Sequence, residues 1–325
     1  MTSKKPLSRV VSIVTSIVLI AVIGLVVYYQ QSIVDYAVYL AYKPTPEIER
    51  MVERIGFTGD GKFRLYSSEP SIEGSSSFNK DCEAVQSEVN VLGCYTNNRI
   101  YVYNVQSEEL DGIKEVTLAH ETLHAVYERL SDGERQKVDA TIDTYYAAHK
   151  TPELEKYMSN YPAEDKYTEL HSVLGTEVGD LPAELEEHYA KYFNRDKVLK
   201  LYDGYHQKFV EVKDRADQLV KEAEALAKDV EDQTTSYNSA TSALSARISS
   251  FNARASGGDF SSQAQFDAER AGLVTESDRL EALRVEINQK IERYTAIQGE
   301  LQELELRNKE LNNSINSKLD SAPKV

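Results

Sequence analysis

The chain has 325 residues, of which 53 are acidic and 37 are basic, so its formal net charge is −16. Such an acidic chain repels phosphate backbones, and nucleic acid is therefore excluded as an expected partner. Hydrophobic residues make up 41% of the chain. This content supports a buried core, and the length suits about two domains.

The N-terminus predicts a membrane anchor. Residues 10–29 form an uncharged run, and a helix of that length at ~1.5 Å per residue spans about 30 Å, the thickness of a bilayer core. Lys4, Lys5 and Arg9 precede the run. We therefore expect a single-pass protein of the cell membrane, with residues 1–9 in the cytoplasm and the remainder outside. A cleaved signal peptide is the alternative, although its apolar region is normally shorter.

Residues 30–44 are expected to form a stalk, which either continues the anchor helix or lies on a surface. Thr45 and Pro46 predict the start of the next helix, because Thr is a favourable N-cap and Pro suits the first helical position. The only cysteines are Cys82 and Cys94. In a domain outside the cytoplasm we expect them to form one disulfide, with two unrelated buried thiols as the alternative.

A region with β character is expected after the second helix. Phe63 and Leu65 alternate with polar residues, and Asn97-Asn98 precedes a strand-like run at 99–105. The Asn pair is a plausible hairpin turn. The run at 99–105 leads into the next predicted helix.

Residues 113–130 show helical spacing and contain His-Glu-Thr-Leu-His at 120–124. Because positions i and i+4 lie on one helix face, His120 and His124 can bind one metal ion, and Glu121 lies beside them. This H-E-x-x-H pattern is typical of zinc peptidases, in which two histidines bind the metal and the glutamate is the general base. A structural helix with two incidental histidines is the alternative.

A catalytic zinc usually has three protein ligands. The best source of the third is the predicted helix at 167–177, which offers Glu169, His171 and Glu177. At this point the chain resembles the gluzincins over about residues 60–200, since these peptidases carry H-E-x-x-H on one helix and a glutamate ligand on a later one. The resemblance implies Glu169, because Ser172 matches the small residue that many gluzincins have three positions on. Glu177 and His171 stay open as alternatives.

The same resemblance implies one Zn²⁺ per chain, a zincin-like metallopeptidase domain at 45–203, and Glu121 as general base. A further donor would stabilise the transition state, and Tyr167, His188 and Tyr189 are candidates. By analogy, 99–105 would be an edge strand that binds an extended substrate. The chain departs from some gluzincins at Val173, where they carry an acidic residue.

From residue 204 to about 320 apolar residues recur at alternating spacings of three and four, around a turn at 255–262. This pattern predicts an antiparallel coiled-coil hairpin, followed by a tail at 321–325. Two helices of an ordinary bundle, or a parallel homodimeric coil, are the alternatives.

These predictions together give an α+β chain that is mostly helical, with a small β-sheet and a long coiled-coil hairpin. The expected function is a membrane-anchored zinc metalloendopeptidase that acts on a peptide or protein near the cell surface, with a protein partner at the coiled coil. The alternative is a membrane-tethered coiled-coil scaffold, or an envelope-interaction protein, whose peptidase-like domain is inactive.

Overall fold

The computed structural model describes residues 5–83, 91–159 and 161–318. The chain divides into two compact units, the first formed by Met1–Gln207 with Asn312–Val325 and the second by Lys208–Leu311. Helices dominate, and a small sheet accompanies them. This confirms the predicted α+β class with mostly helical content. The second unit ends at Leu311, earlier than the predicted hairpin end at residue 320.

The first helix, α1 (Lys5–Ala41), is long and apolar enough to cross a membrane. Its Val14–Ala41 part has a mean hydropathy of 2.1, and most of its large apolar side chains are exposed. The helix continues without a break through the predicted stalk to Ala41. Of the two expectations for the stalk, the structure therefore supports helix continuation.

The second helix, α2 (Pro46–Ile55), begins where the sequence predicts. The Thr45 side chain accepts a hydrogen bond from the Ile48 backbone N–H at 3.3 Å, which stabilises the first turn. Its buried face is apolar, as expected from helical spacing, and consists of Ile48, Met51, Val52 and Ile55.

The expected strand character around Phe63 and Leu65 is wrong, because these residues lie in helix α3 (Gly59–Ser67). Thr58 caps this helix by accepting a hydrogen bond from the Gly61 N–H at 3.1 Å. A Cβ on Gly61 would come 1.9 Å from the Tyr192 carbonyl oxygen, so tertiary contact fixes this segment. Two alternating apolar residues are too short a pattern to outweigh the cap.

The sheet has the order β1-β3-β2, with β1 at Ser71–Glu73, β2 at Gly93–Thr96 and β3 at Arg99–Tyr103. Strand β3 pairs with β1 in parallel and with β2 in antiparallel orientation. Asn97 and Asn98 have φ of 52° and 61°, which is the two-residue hairpin turn that the sequence predicts. The expectation that 99–105 is an edge strand is wrong, because β3 lies in the middle of the sheet.

Helix α4 (Ser75–Asp81) lies on the sheet face opposite the main core, where Phe78 packs with Cys82, Cys94 and Tyr103. Cys82 and Cys94 form a disulfide with a Cα–Cα distance of 5.9 Å. This bond ties the end of α4 to strand β2.

The remainder of the first unit is helical, with α5 (Ile113–Glu128), α6 (Asp132–His149), α7 (Pro152–Met158), α8 (Lys166–Glu177) and α9 (Ala183–Ala190). Helix α5 is the central element, since it contacts α2, α3, α8 and both β2 and β3. Its buried residues include Val116, Leu118, Ala119 and Leu123. These residues belong to the main hydrophobic core.

The second unit consists of parts of two long helices, α10 (Arg195–Gly257) and α11 (Gln263–Ser314), which pack together. Arg293 pairs with Glu222 at 2.8 Å, and Lys290 pairs with Asp229 at 2.6 Å. The residue number of the partner on α10 increases from 222 to 229 while that on α11 decreases from 293 to 290. The two helices are therefore antiparallel. Phe251, Phe260 and Phe266 pack against one another beside the turn.

Candidate metal centre

Helix α5 presents His120 and His124 together on one face. Their Nε2 atoms are 3.2 Å apart, and their side chains are 13% and 17% exposed. The neighbouring Leu123 and Ala119 are fully buried in the core. The amphipathic spacing of α5 therefore fixes the imidazole face beside the core, at a partly accessible position.

The carboxylate of Glu169 on α8 lies opposite the two imidazoles. Glu169 Oε1 is 3.5 Å from His120 Nε2, and its Oε2 is 3.4 Å from His124 Nε2. Ligand atoms from these three residues all lie within 4.8 Å of one another. Among the described residues these three form the group that could hold a metal ion, and it is called the metal-ligand cluster below.

Close packing of α8 on α5 brings Glu169 to the histidines. A Cβ on Gly175 would come 2.4 Å from Leu123 Cδ1 and 2.8 Å from Tyr189 Cε1, so only glycine fits between the helices without movement. Arg195 then fixes the end of α8, because its Nη1 donates to the Leu174 carbonyl at 3.1 Å. The position of Glu169 thus depends on backbone contacts as well as on its own charge.

Second partners orient the two imidazoles. His124 Nδ1 lies 2.9 Å from the Thr168 hydroxyl, within hydrogen-bond range. His120 Nδ1 lies 3.9 Å from Glu177 Oε1, which is too long for a hydrogen bond. Glu177 therefore faces the nitrogen of His120 that is turned away from the cluster. It is placed as an outer neighbour of His120, whereas Glu169 faces both imidazoles.

The charges in the cluster favour a cationic centre. Burial opposes protonation of His120, but the carboxylates of Glu169, Glu121 and Glu177 together outweigh burial and raise the His120 pKa to about 9. Burial likewise raises the pKa of Glu169, yet His120 and His124 together hold it well below its usual value. For Glu177, burial raises the pKa against the opposing effect of His120. The Glu169 carboxylate is thus ionised and can pair with a positive charge.

Glu121 lies on α5 next to His120 and is 6% exposed. Strand β2 passes directly over it, since a Cβ on Gly93 would come 2.6 Å from Glu121 Oε1. Glu121 therefore lies between the histidine face of α5 and an edge strand of the sheet.

Tyr157 on α7 is a site residue that the sequence analysis missed. Its hydroxyl donates to Glu169 Oε1 at 2.7 Å, and burial, followed by the Glu169 charge, raises its pKa far above the usual value. The chain has 21 tyrosines, and nothing in the local sequence distinguishes this one. The Thr151 cap and Pro152 predict where α7 begins but not where its side chains point.

The structure does not bring Tyr167, His188 or Tyr189 to the metal-ligand cluster. The Tyr167 hydroxyl donates to Asp143 at 2.7 Å. His188 Nε2 and His171 Nε2 are 2.8 Å apart, and the Tyr189 hydroxyl donates to the His171 carbonyl at 2.8 Å. His171 is thus placed in a separate buried histidine pair rather than beside His120 and His124. Burial lowers the pKa of both members of the pair, for His188 to about 4.

No protein-family model, no curated protein and no solved structure matches the chain.

Proposed function

We propose that the protein is a membrane-anchored, extracytoplasmic zinc metallopeptidase with a zincin-like catalytic domain. The observation that carries the proposal is the meeting of His120, His124 and Glu169 beside Glu121. Two imidazoles and one carboxylate are the protein ligands of well-known catalytic zinc sites, which keep a fourth position for water or substrate.

The donor spacing supports zinc. Tetrahedral coordination at the usual Zn–N and Zn–O bond lengths requires ligand atoms about 3.4 Å apart. The two Nε2 atoms are 3.2 Å apart, and each lies 3.4 or 3.5 Å from a different oxygen of Glu169, so the carboxylate faces both imidazoles at about this spacing. The hydroxyl of Thr168 on His124 is the kind of outer contact that orients a metal-binding imidazole.

A zinc ion bound there would supply a Lewis acid and lower the pKa of a coordinated water towards neutrality. Glu121 accepts the proton of the attacking water and delivers it to the leaving amine. Tyr157 offers a hydroxyl 2.7 Å from Glu169, and by turning from this carboxylate it donates to the developing oxyanion. Tyr157 thus takes the role for which the sequence suggested Tyr167, His188 and Tyr189.

Strand β2 offers an edge to an extended peptide. Tyr103 N–H donates to the Leu92 carbonyl at 2.8 Å, so in this antiparallel ladder the backbone groups of Gly93 and Tyr95 point away from β3. No strand pairs with this side of β2 within the described residues. A peptide that adds to this side lies next to Glu121, which makes β2 the proposed substrate strand.

The anchor follows from α1, whose apolar length suits a bilayer. With the basic residues ahead of residue 10, the proposed orientation keeps residues 1–9 inside and the metal centre outside. The substrate is a peptide or protein at the cell surface. The antiparallel helices of the second unit offer a surface for a protein partner.

The test uses the full chain in detergent micelles. We expect about one zinc per chain, lost in His120→Ala and His124→Ala, and hydrolysis of a mixed peptide library by the wild type. Glu121→Gln should keep the zinc and abolish hydrolysis, which distinguishes the general base from a ligand. Zinc without turnover of any peptide between pH 5 and 9 would contradict the proposal and favour the inactive scaffold, which the apolar helix α1 and the two paired long helices would also suit.

A further inference from the structure

The C-terminal part of helix α1 is fixed to the rest of the first unit by a buried carboxylate, Asp35, whose contacts are called the lock below. Asp35 on α1 is 3% exposed. Its Oδ2 pairs with Arg129 Nε at 3.0 Å and with Arg64 Nη1 at 3.3 Å, and Gln31 Nε2 donates to its Oδ1 at 2.7 Å. A buried carboxylate with two guanidinium partners is costly to separate from either of them. Residue 35 therefore marks a point at which α1 is fixed to the unit.

Aromatic packing extends this lock towards the end of α1. The Tyr39 ring centroid lies 5.3 Å from that of Phe63 on α3. The Tyr42 hydroxyl donates to the Pro70 carbonyl at 2.7 Å, just before β1. Because α1 is one uninterrupted helix, the apolar run and the first unit are joined by a rigid element rather than by a flexible linker.

Arg129 connects this lock to the substrate strand. It follows the last residue of α5, and besides Asp35 it binds Asn98 Oδ1 at 2.8 Å and the Tyr95 hydroxyl at 3.1 Å. The hairpin turn after β2 is therefore held next to residue 35. At its other end β2 touches Glu121 through Gly93. Strand β2 thus runs from the anchor side of the unit to the proposed general base.

We infer that the substrates are themselves membrane-anchored chains, which bind along β2 and are cleaved in the extended segment next to the bilayer. This inference rests on the proposed function and adds the substrate class to it. A peptide that leaves the membrane beside α1 meets the turn at Asn98 first and reaches Glu121 after following the β2 edge.

The end of α1 and the length of β2 set an upper limit for the height of the cleavage site above the membrane surface. From Tyr29 to Asp35 the helix rises by about 9 Å. From Asn98 to Gly93 the strand covers about 17 Å. The sum is about 26 Å, which about eight residues of extended chain can span. The first bond that can reach the site is therefore expected within about eight residues of the membrane-spanning segment of the substrate.

The experiment uses the full chain, loaded with zinc, in phosphatidylcholine vesicles. The reporter is a single-span peptide followed by an unstructured repeat of 30 residues, and mass spectrometry identifies the first cleaved bond. Seven residues inserted between Gln30 and Gln31 raise the unit by about 10 Å and keep the helix phase and the Gln31–Asp35 contact. We expect this insertion to move the first cleaved bond outward by about three residues.

The same seven residues inserted before residue 10 are the matched control and should leave the first cleaved bond unchanged. A second measurement changes the reporter instead of the protein. Two helical turns are added between the membrane-spanning segment of the reporter and its unstructured repeat. The first cleaved bond should then lie about three repeat residues closer to the start of the repeat. Equal hydrolysis of a soluble repeat peptide by all variants shows that the site is intact.

The outcomes separate the two proposals. If the soluble peptide is hydrolysed but the first cleaved bond lies 20 or more residues out, or ignores both added segments, the membrane-proximal substrate is refuted and the peptidase proposal stands. If neither the soluble peptide nor the reporter is cleaved, both the peptidase proposal and the substrate inference are refuted.

Discussion

Gly93 and Glu121 occupy positions that leave no room for a side chain between them. A Cβ at residue 93 would come 2.6 Å from Glu121 Oε1 and 2.7 Å from its Cγ. The nearest other atom is Thr117 Cγ2, also at 2.6 Å. Because the strand is held by β3, the Glu121 side chain and the Thr117 methyl group would have to move rather than the sheet.

Gly93→Ala is therefore expected to displace the proposed general base, with some loss of stability because Thr117 on α5 has to move as well. Proton transfer by a positioned base is worth about 10²–10⁴ in rate, so kcat on a soluble peptide should fall about 100-fold while the zinc content is unchanged. Gly59→Ala is the control, because a Cβ there meets nothing within 4 Å. A kcat within twofold of the wild type in Gly93→Ala would show that Glu121 does not act from its present position.

The third ligand can be tested by comparing two glutamates on the same helix. Glu169 faces both imidazoles at 3.4 and 3.5 Å, whereas Glu177 faces only His120, at 3.9 Å. Glu169→Gln should weaken zinc binding by at least 100-fold in competition with a chelating dye. Glu177→Gln removes no hydrogen bond to the imidazole and should change the affinity less than about tenfold, the lower end for outer-sphere partners. The reverse ranking would place the ligand at residue 177.

Local patterns in the sequence predict the parts of this site that lie within one element. The helix repeat places His120 and His124 on one face. Asparagine tolerates positive φ, so the residue type of Asn97 and Asn98 indicates their turn conformation. The central position of β3 is not readable in this way, because its parallel partner β1 has only three residues. Tyr157 reaches Glu169 through the fold of α7 onto α8, and no periodicity encodes that contact.

Tyr157→Phe tests the hydroxyl that the sequence did not identify. Loss of its hydrogen bond to Glu169 should weaken zinc binding about tenfold. At saturating zinc, loss of the oxyanion donor should lower kcat about 100-fold with KM nearly unchanged. Tyr167→Phe is the matched control, since the Tyr167 hydroxyl binds Asp143 instead. Equal kinetics of the two variants at saturating zinc would remove Tyr157 from the proposed mechanism.

The buried pair of His171 and His188 makes stability depend on pH. Burial, and then the charge of Lys191, lowers the His188 pKa from 6.5 to about 4. Between these values the unfolded chain binds a proton that the folded chain does not, so stability is complete above about pH 6.5 and is lost as the pH falls towards 4. The shift corresponds to about 3 kcal/mol for this one group.

His188→Gln should therefore be less sensitive to acid than the wild type, even if it is less stable at pH 7. The measurement is thermal unfolding of the full chain in detergent between pH 7.5 and 4.5, followed by the near-UV circular dichroism of its tyrosines. His149→Gln, at an exposed position on α6, should keep the wild-type pH dependence. Because His171 lies on α8 and His188 on α9, protonation of the pair should weaken the contact between these two helices. Parallel pH profiles for the wild type and His188→Gln would mean that the buried imidazole does not control this loss.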